Sequence, residues 1–138
     1  MSTKKYKIGY TTGVFDMFHI GHLNILRRAK EQCDYLIVGV STDELVQMYK
    51  KKTPIIPYEE RIEIVKAIRY VDQVVPQESM DKVEAWENLH FDAIFHGDDW
   101  KGSSMYNDIE EKMKKLGVAM VFLPHTQGTS STQLANKL

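Results

Sequence analysis

Thr12-Gly13-Val14-Phe15-Asp16-Met17-Phe18-His19-Ile20-Gly21-His22 is the stretch from which the rest of the chain can be read. Before it, Lys7-Ile8-Gly9-Tyr10 has the character of an apolar strand ending in small and turn-prone residues. After it, Gly21 to Ala29 carries apolar residues at the 3.6-residue spacing of a helix. His19 and His22 therefore fall at a strand-to-helix junction, three residues apart, with a glycine between them. The first N–H groups of a helix lack intrahelical acceptors and the positive end of its dipole lies there, so the junction suits an anion. Gly21 puts no side chain in the way of a phosphate or a nucleotide ring. One histidine at such a place is as readily a cap or a packing residue; the pair points to phosphate chemistry. Zinc would need more ligands, and the chain adds only Cys33, so we expect no metal held directly by a protein cluster.

With 138 residues, 43% of them hydrophobic, the chain is long enough for one core and shows no composition shift where a second domain would begin. A formal charge of −1 gives no broad basic field, which argues against nucleic acid or an anionic membrane as partner and for small substrates. A single cysteine forms no intramolecular disulfide. Met1 to Lys5 lacks the apolar core of a signal peptide, and no apolar run approaches the roughly 18 residues of a membrane span. The expectation is a cytoplasmic protein.

Working outward, Tyr35-Leu36-Ile37-Val38-Gly39-Val40 is too apolar for a half-exposed strand and suits one covered on both faces. Ser41-Thr42-Asp43 then caps a helix, and Met48 to Pro57, with three consecutive lysines between residues 49 and 53 and two prolines, reads as a mobile loop. Further helices are expected over Tyr58 to Ile68, Asp81 to Leu89, Gly102 to Leu116 and Ser130 to Lys137. Strands are expected over Asp72 to Val75, Asp92 to Phe95 and Val118 to Phe122. Such alternation predicts a single α/β domain spanning 1–138, a Rossmann-like, doubly wound parallel sheet of about five strands. Ligands of such sheets bind beyond the carboxyl ends of the strands, where the strand order reverses. The segments richest in chemistry each follow a strand, so the fold would gather them at one edge.

Each of these segments admits a plain and a functional reading. Gly128-Thr129-Ser130-Ser131-Thr132 offers N–H and hydroxyl donors to phosphate oxygens, or simply caps the last helix; His125, Thr126 and Gln127 before it favour a ligand. Asp98 and Asp99 could meet a nucleotide-borne magnesium ion or a ribose, or serve as a cap and a solvated acid. Lys50, Lys51 and Lys52 suit a solvated loop, or one that closes on phosphates when substrate arrives. Arg61 and Arg69, eight apart, would share a helix face that serves phosphates or a partner copy. No Gly-Lys-Ser/Thr loop and no Gly-x-Gly-x-x-Gly follows the first strand, which removes kinase-like and dehydrogenase-like readings.

Together these residues resemble the small nucleotidyltransferases with a His-x-Gly-His signature, and within them the cytidylyltransferases, most closely the bacterial glycerol-3-phosphate group. The likeness runs from about Lys7 to Leu134. It is carried by Gly13-Val14-Phe15-Asp16, His19 to His22, Ser41 to Glu44, Tyr58 to Arg61, Arg69-Tyr70-Val71-Asp72, Gly97 to Trp100 and Gly128 to Thr132. The resemblance implies cytidylyl transfer from CTP to a small alcohol phosphate, glycerol 3-phosphate first among them, with CDP-glycerol and pyrophosphate as products and Mg²⁺ accompanying the CTP. Adenylyl transfer to another phosphate acceptor, or nucleotide binding without catalysis, stand as alternatives. It implies that His19, His22, Lys50 and Lys52 are catalytic. Val14, Phe15, Asp16, Ile20, Gly21, Asp99 and the run His125 to Thr132 would hold the nucleotide. Lys50, Arg61 and Lys82 would meet the acceptor, and Arg69 and Asp72 would support a homodimer contact. One departure stands out: His125 occupies a place where the family has arginine, exchanging a permanent forked cation for a group that titrates near neutrality.

Overall fold

A computed structural model describes residues 4–97 and 104–124. In chain order the elements are β1 (Tyr6–Gly13), α1 (Ile20–Glu31), β2 (Cys33–Ser41), α2 (Asp43–Lys50), α3 (Tyr58–Lys66), β3 (Gln73–Gln77), α4 (Lys82–Leu89), β4 (Ala93–Gly97), α5 (Ser104–Lys115) and β5 (Ala119–Leu123). The five strands form one sheet in the order β3-β2-β1-β4-β5, every neighbouring pair parallel. The predicted doubly wound sheet is thus the observed one. From β1 the chain steps outward through β2 and β3, then returns to lay β4 on the other side of β1. The reversal that opens a crevice lies between β1 and β4.

Two cores follow from the two covered faces. Leu26, Ala29, Leu36, Val38, Val40, Val65 and Phe95 form one; Tyr10, Ile37, Phe91, Ile94 and Met113 form the other. Alternate residues of β2 go to opposite cores, as the pleat requires when both faces are buried. Gly9 is needed where β1 crosses the sheet: a Cβ there would stand 2.7 Å from the Phe95 ring and 2.8 Å from Cys33 Sγ. Pro76 is accommodated because β3 is an edge strand. Among the described residues no helix is long and apolar enough to cross a membrane.

Several boundaries differ from expectation. β1 runs on through Thr11 to Gly13, because pairing with Val38 to Val40 of β2 outweighs the polar side chains. α2 carries the chain through Lys50 before Lys51 turns left-handed at φ 56°, so the first of the three lysines is helical and not in a loop. α3 stops at Lys66, and Arg69 lies in the turn beyond it. The expected shared helix face of Arg61 and Arg69 is therefore overturned: the first is buried, the second exposed. The expected last helix, Ser130 to Lys137, lies outside the described residues.

Candidate active site

Four of the five strands, β1 to β4, end together. Thr11, Thr12 and Gly13 of β1, Ser41 of β2, Gln77 of β3, and His96 and Gly97 of β4 are strand-end residues that line one cavity of about 570 Å³. Of the residues singled out in the sequence, Val14, Phe15, Asp16, His22, Lys50, Lys52 and Lys82 line it too. Distant chain positions are thereby brought to one edge, as Lys82 shows by donating to Thr12 Oγ1, 70 residues away in sequence, at 3.0 Å.

The turn from β1 into α1 is built from two left-handed residues, Phe15 at φ 55° and Met17 at φ 48°. Each costs about 1–2 kcal/mol relative to ordinary backbone. Compensation comes from Phe15, which buries its ring beside Phe18 and His22. Gly13 leaves room for that ring, since a Cβ there would come within 3.1 Å of it. With its ring in the core, Phe15 has its backbone to offer a ligand.

α1 then begins in an unusual way. His19 is the N-cap: its Nδ1 accepts the N–H of Gly21 at 3.0 Å, while Nδ1 of His22 accepts the N–H of His19 at 3.2 Å. Both imidazoles so complete a reciprocal capping box, with their rings stacked 4.0 Å apart. An Nδ1 that accepts carries no proton, so each neutral ring bears its proton on Nε2. Burial, the charge of His19 next, holds the His22 pKa down at about 3, against a smaller opposing pull from Asp16. Burial also lowers the His19 pKa. At neutral pH the pair offers two fixed Nε2–H donors and no net charge. Capping and ligand binding, which the sequence leaves as competing readings, are served by different nitrogens of the same rings. Ile20, first residue of the helix, is half exposed and does not line the cavity, nor do His19 and Gly21, so of the histidine pair it is His22 that lines it.

Cations complete the lining. Lys50 and Lys52 approach from the end of α2 and the residues after it; burial, then Lys52, lowers the Lys50 pKa. Lys82, at the start of α4, is only 4% exposed, and burial brings its pKa to about 8. Asp16 is the one carboxylate among the described lining residues, and its two oxygens accept the N–H groups of Ile55 and Ile56 at 2.9 and 2.8 Å. It ties the lysine-bearing segment to the β1–α1 turn.

Arg61 is a correction to the expected acceptor set. Its guanidinium is buried behind the cavity, where it donates to the carbonyls of Ile56, Val14 and Ser41 and to the Asp43 carboxylate. It joins the ends of β1, β2 and α3 and is not a cavity-lining residue. Asp72 is likewise spent within the chain, accepting the Leu36 N–H at 2.8 Å and pairing with Lys30. Arg69 is exposed, its guanidinium 5.1 Å from the centre of the Tyr70 ring. Asp99 and His125 to Thr132 lie outside the described residues. Sequence reasoning placed Thr11, Ser41 and His96 in segments that follow strands but gave none of them, nor Gln77 or Tyr106, a ligand role of its own, and all five line the cavity. The strand-end positions of the first four were the available signal.

Comparison with known proteins agrees with this geometry. A family model described as cytidylyltransferase-like matches residues 10–137. The chain is 36% identical to a glycerol-3-phosphate cytidylyltransferase of Bacillus subtilis over 135 residues, covering 93% of this chain and 94% of that protein. It is 43% identical to an FAD synthase of Pyrococcus horikoshii over 119 residues, covering 82% and 77%. A solved lipopolysaccharide core biosynthesis protein from Thermoplasma volcanium superposes with a TM-score of 0.77 at 27% identity, over 88% of this chain and 99% of the other. The chain belongs to the cytidylyltransferase-like family of nucleotidyltransferases.

Proposed function

We propose that the protein transfers a cytidylyl group from CTP to a small alcohol phosphate, glycerol 3-phosphate being the first candidate, with release of pyrophosphate. The observation that carries this reading is the meeting of His22 and three lysines in one cavity at the strand ends. A phosphate monoester has its second pKa near about 6, so the acceptor reaches the site already dianionic and needs no general base. Its oxygen attacks the α-phosphorus in line, forming a new P–O bond as the bond to the β-phosphate bridge breaks and pyrophosphate leaves with the electron pair. The work left to the protein is to hold two polyanions together and to stabilise charge on the α-phosphate oxygens and the leaving group.

The Nε2–H donors of His19 and His22 suit the α-phosphate, and Lys50 and Lys52 suit the triphosphate and the acceptor beside it. Mg²⁺ is proposed to enter bound through the phosphate oxygens of CTP and to neutralise part of their charge. Asp99 and the run His125 to Thr132 complete the proposed nucleotide site. Arg69, exposed and not a cavity-lining residue, is proposed to serve a contact between two copies of the chain.

Pyrophosphate release measured with CTP and with ATP, in parallel and with glycerol 3-phosphate as acceptor, tests the reading. CTP-dependent release is expected. Release with ATP alone would favour adenylyl transfer, the reading supported by the FAD synthase likeness. Nucleotide binding without release under any acceptor would leave a non-catalytic module.

A further inference from the structure

One group in the cavity has no part in the transfer described above. His96, next to last in β4, is 6% exposed, lines the cavity, and its Nε2 is buried with no hydrogen-bond partner among the described residues. Leaving such an atom unpaired costs about 1–3 kcal/mol, and folded proteins pair about nine in ten of them. Tyr106 of α5 meets the ring edge-on, centroids 4.9 Å apart, so the imidazole is packed in place. Lys82 belongs to the same end of the cavity. Its Nζ lies on Thr12 Oγ1, and because Thr11 pairs with Phe95, Thr12 and His96 stand side by side on adjoining strands.

We propose that His96 recognises a hydroxyl on the carbon skeleton of the acceptor, with Lys82 holding the acceptor's phosphate beside it, and so selects a polyol phosphate over an amino-alcohol phosphate. This rests on the cytidylyl-transfer reading for the identity of the acceptor class. A neutral imidazole has one N–H and one lone pair, and a hydroxyl answers either, since it both donates and accepts. The ring stays neutral because burial, and secondly the charge of Lys82, hold its pKa at about 3. The same charge opposes an ammonium group.

The test compares glycerol 3-phosphate, propyl phosphate and ethanolamine phosphate on the wild-type chain, His96→Leu and His96→Gln. Calorimetric binding in the presence of a non-hydrolysable CTP analogue is read beside pyrophosphate release. Wild type is expected to prefer glycerol 3-phosphate over each of the other two by about tenfold or more, the worth of one well-made buried hydrogen bond. In His96→Leu, which removes an unpaired buried polar group and is expected to fold, the preference over propyl phosphate falls to near unity through loss on the glycerol 3-phosphate side, with affinity for the CTP analogue unchanged. His96→Gln, which keeps a donor and an acceptor, is expected to recover part of it, and it decides the matter if the leucine variant fails to fold. Wild type binding all three equally, or none, overturns the proposal, as does a folded leucine variant with its preference intact. Preference that depends on His96 without pyrophosphate release keeps this assignment and removes the transfer reading. Release from CTP with preference indifferent to residue 96 does the reverse.

Discussion

Arg61 reaches back 47 residues to donate to the carbonyl oxygen of Val14 at 2.7 Å, which fastens the start of the β1–α1 turn to the start of α3. The same guanidinium holds Ser41, Ile56 and Asp43. Arg61→Met strands the Asp43 carboxylate and three carbonyls together, and is expected to cost about 3–5 kcal/mol. Arg61→Lys keeps the charge but not the fork, and is expected to recover only a minority of that loss. Urea midpoints at constant slope check both. A midpoint for Arg61→Met within error of wild type would refute the keystone role.

His22→Ala removes one Nε2–H donor and half of the capping box. Turnover is expected to drop about a hundredfold, the effect of losing one preorganised donor to a developing oxyanion. Stability is expected to fall by about 1 kcal/mol, the effect of a lost cap. His22→Gln, with a side chain that can reach the His19 N–H from the same N3 position, is expected to restore the unfolding midpoint but not the turnover. Steady-state kinetics and thermal unfolding of the two variants separate the two duties.

Lys82 makes the stability of the ligand-free protein depend on pH in a predictable direction. Its pKa is brought from 10.5 to about 8 by burial, so the unfolded chain binds the proton more tightly. Below pH 8 both states are protonated and the folded state carries the full penalty, about 3 kcal/mol by the size of the shift. Stability therefore rises as pH climbs from 8 towards 10.5. Lys82→Met is expected to be the more stable protein at pH 7, with the difference closing across that interval. An unfolding series at several pH values in which the gap stays constant would count against it.

His96 and His22 act at the acid end. Both have pKa values of about 3 in the fold against 6.5 in the open chain, with burial as the leading cause. Acidification below 6.5 loads the unfolded state with protons the folded state refuses, so stability is lost on the way down to pH 3, by up to about 1.4 kcal/mol per pH unit for each ring. His96→Leu is expected to flatten this acid slope. An unchanged slope in denaturant titrations between pH 6.5 and 4 would contradict it.

Asp16→Ala frees the N–H groups of Ile55 and Ile56 and unties the segment that follows Lys52. Trypsin is expected to cut after Lys51 or Lys52 faster in this variant, with KM for CTP raised and stability lowered by about 1–2 kcal/mol. Equal cleavage rates in variant and wild type would show that the tie is redundant.

The alternation of strands and helices was legible because the buried strands are short apolar runs and some helix starts carry a capping side chain, Thr42 and Asp81 among them. What was hidden came from contacts distant in sequence. β1 extends over Thr11 and Thr12 only because β2 lies beside it. Arg61 looked like a phosphate ligand because charge is visible in a sequence and burial of that charge is not. His96 received no role of its own since nothing in a sequence shows that its Nε2 will be buried without a partner. The histidine pair was legible in kind, but the division of labour between Nδ1 and Nε2 required the helix start itself.

That division has a bearing on descent. A copy of this chain that gave up turnover would still need something at residues 19 and 22 to begin its first helix, and the two rings already there do it. The signature can thus outlive the chemistry, and its erosion in a lineage would report on how the helix is started before it reported on what the enzyme makes.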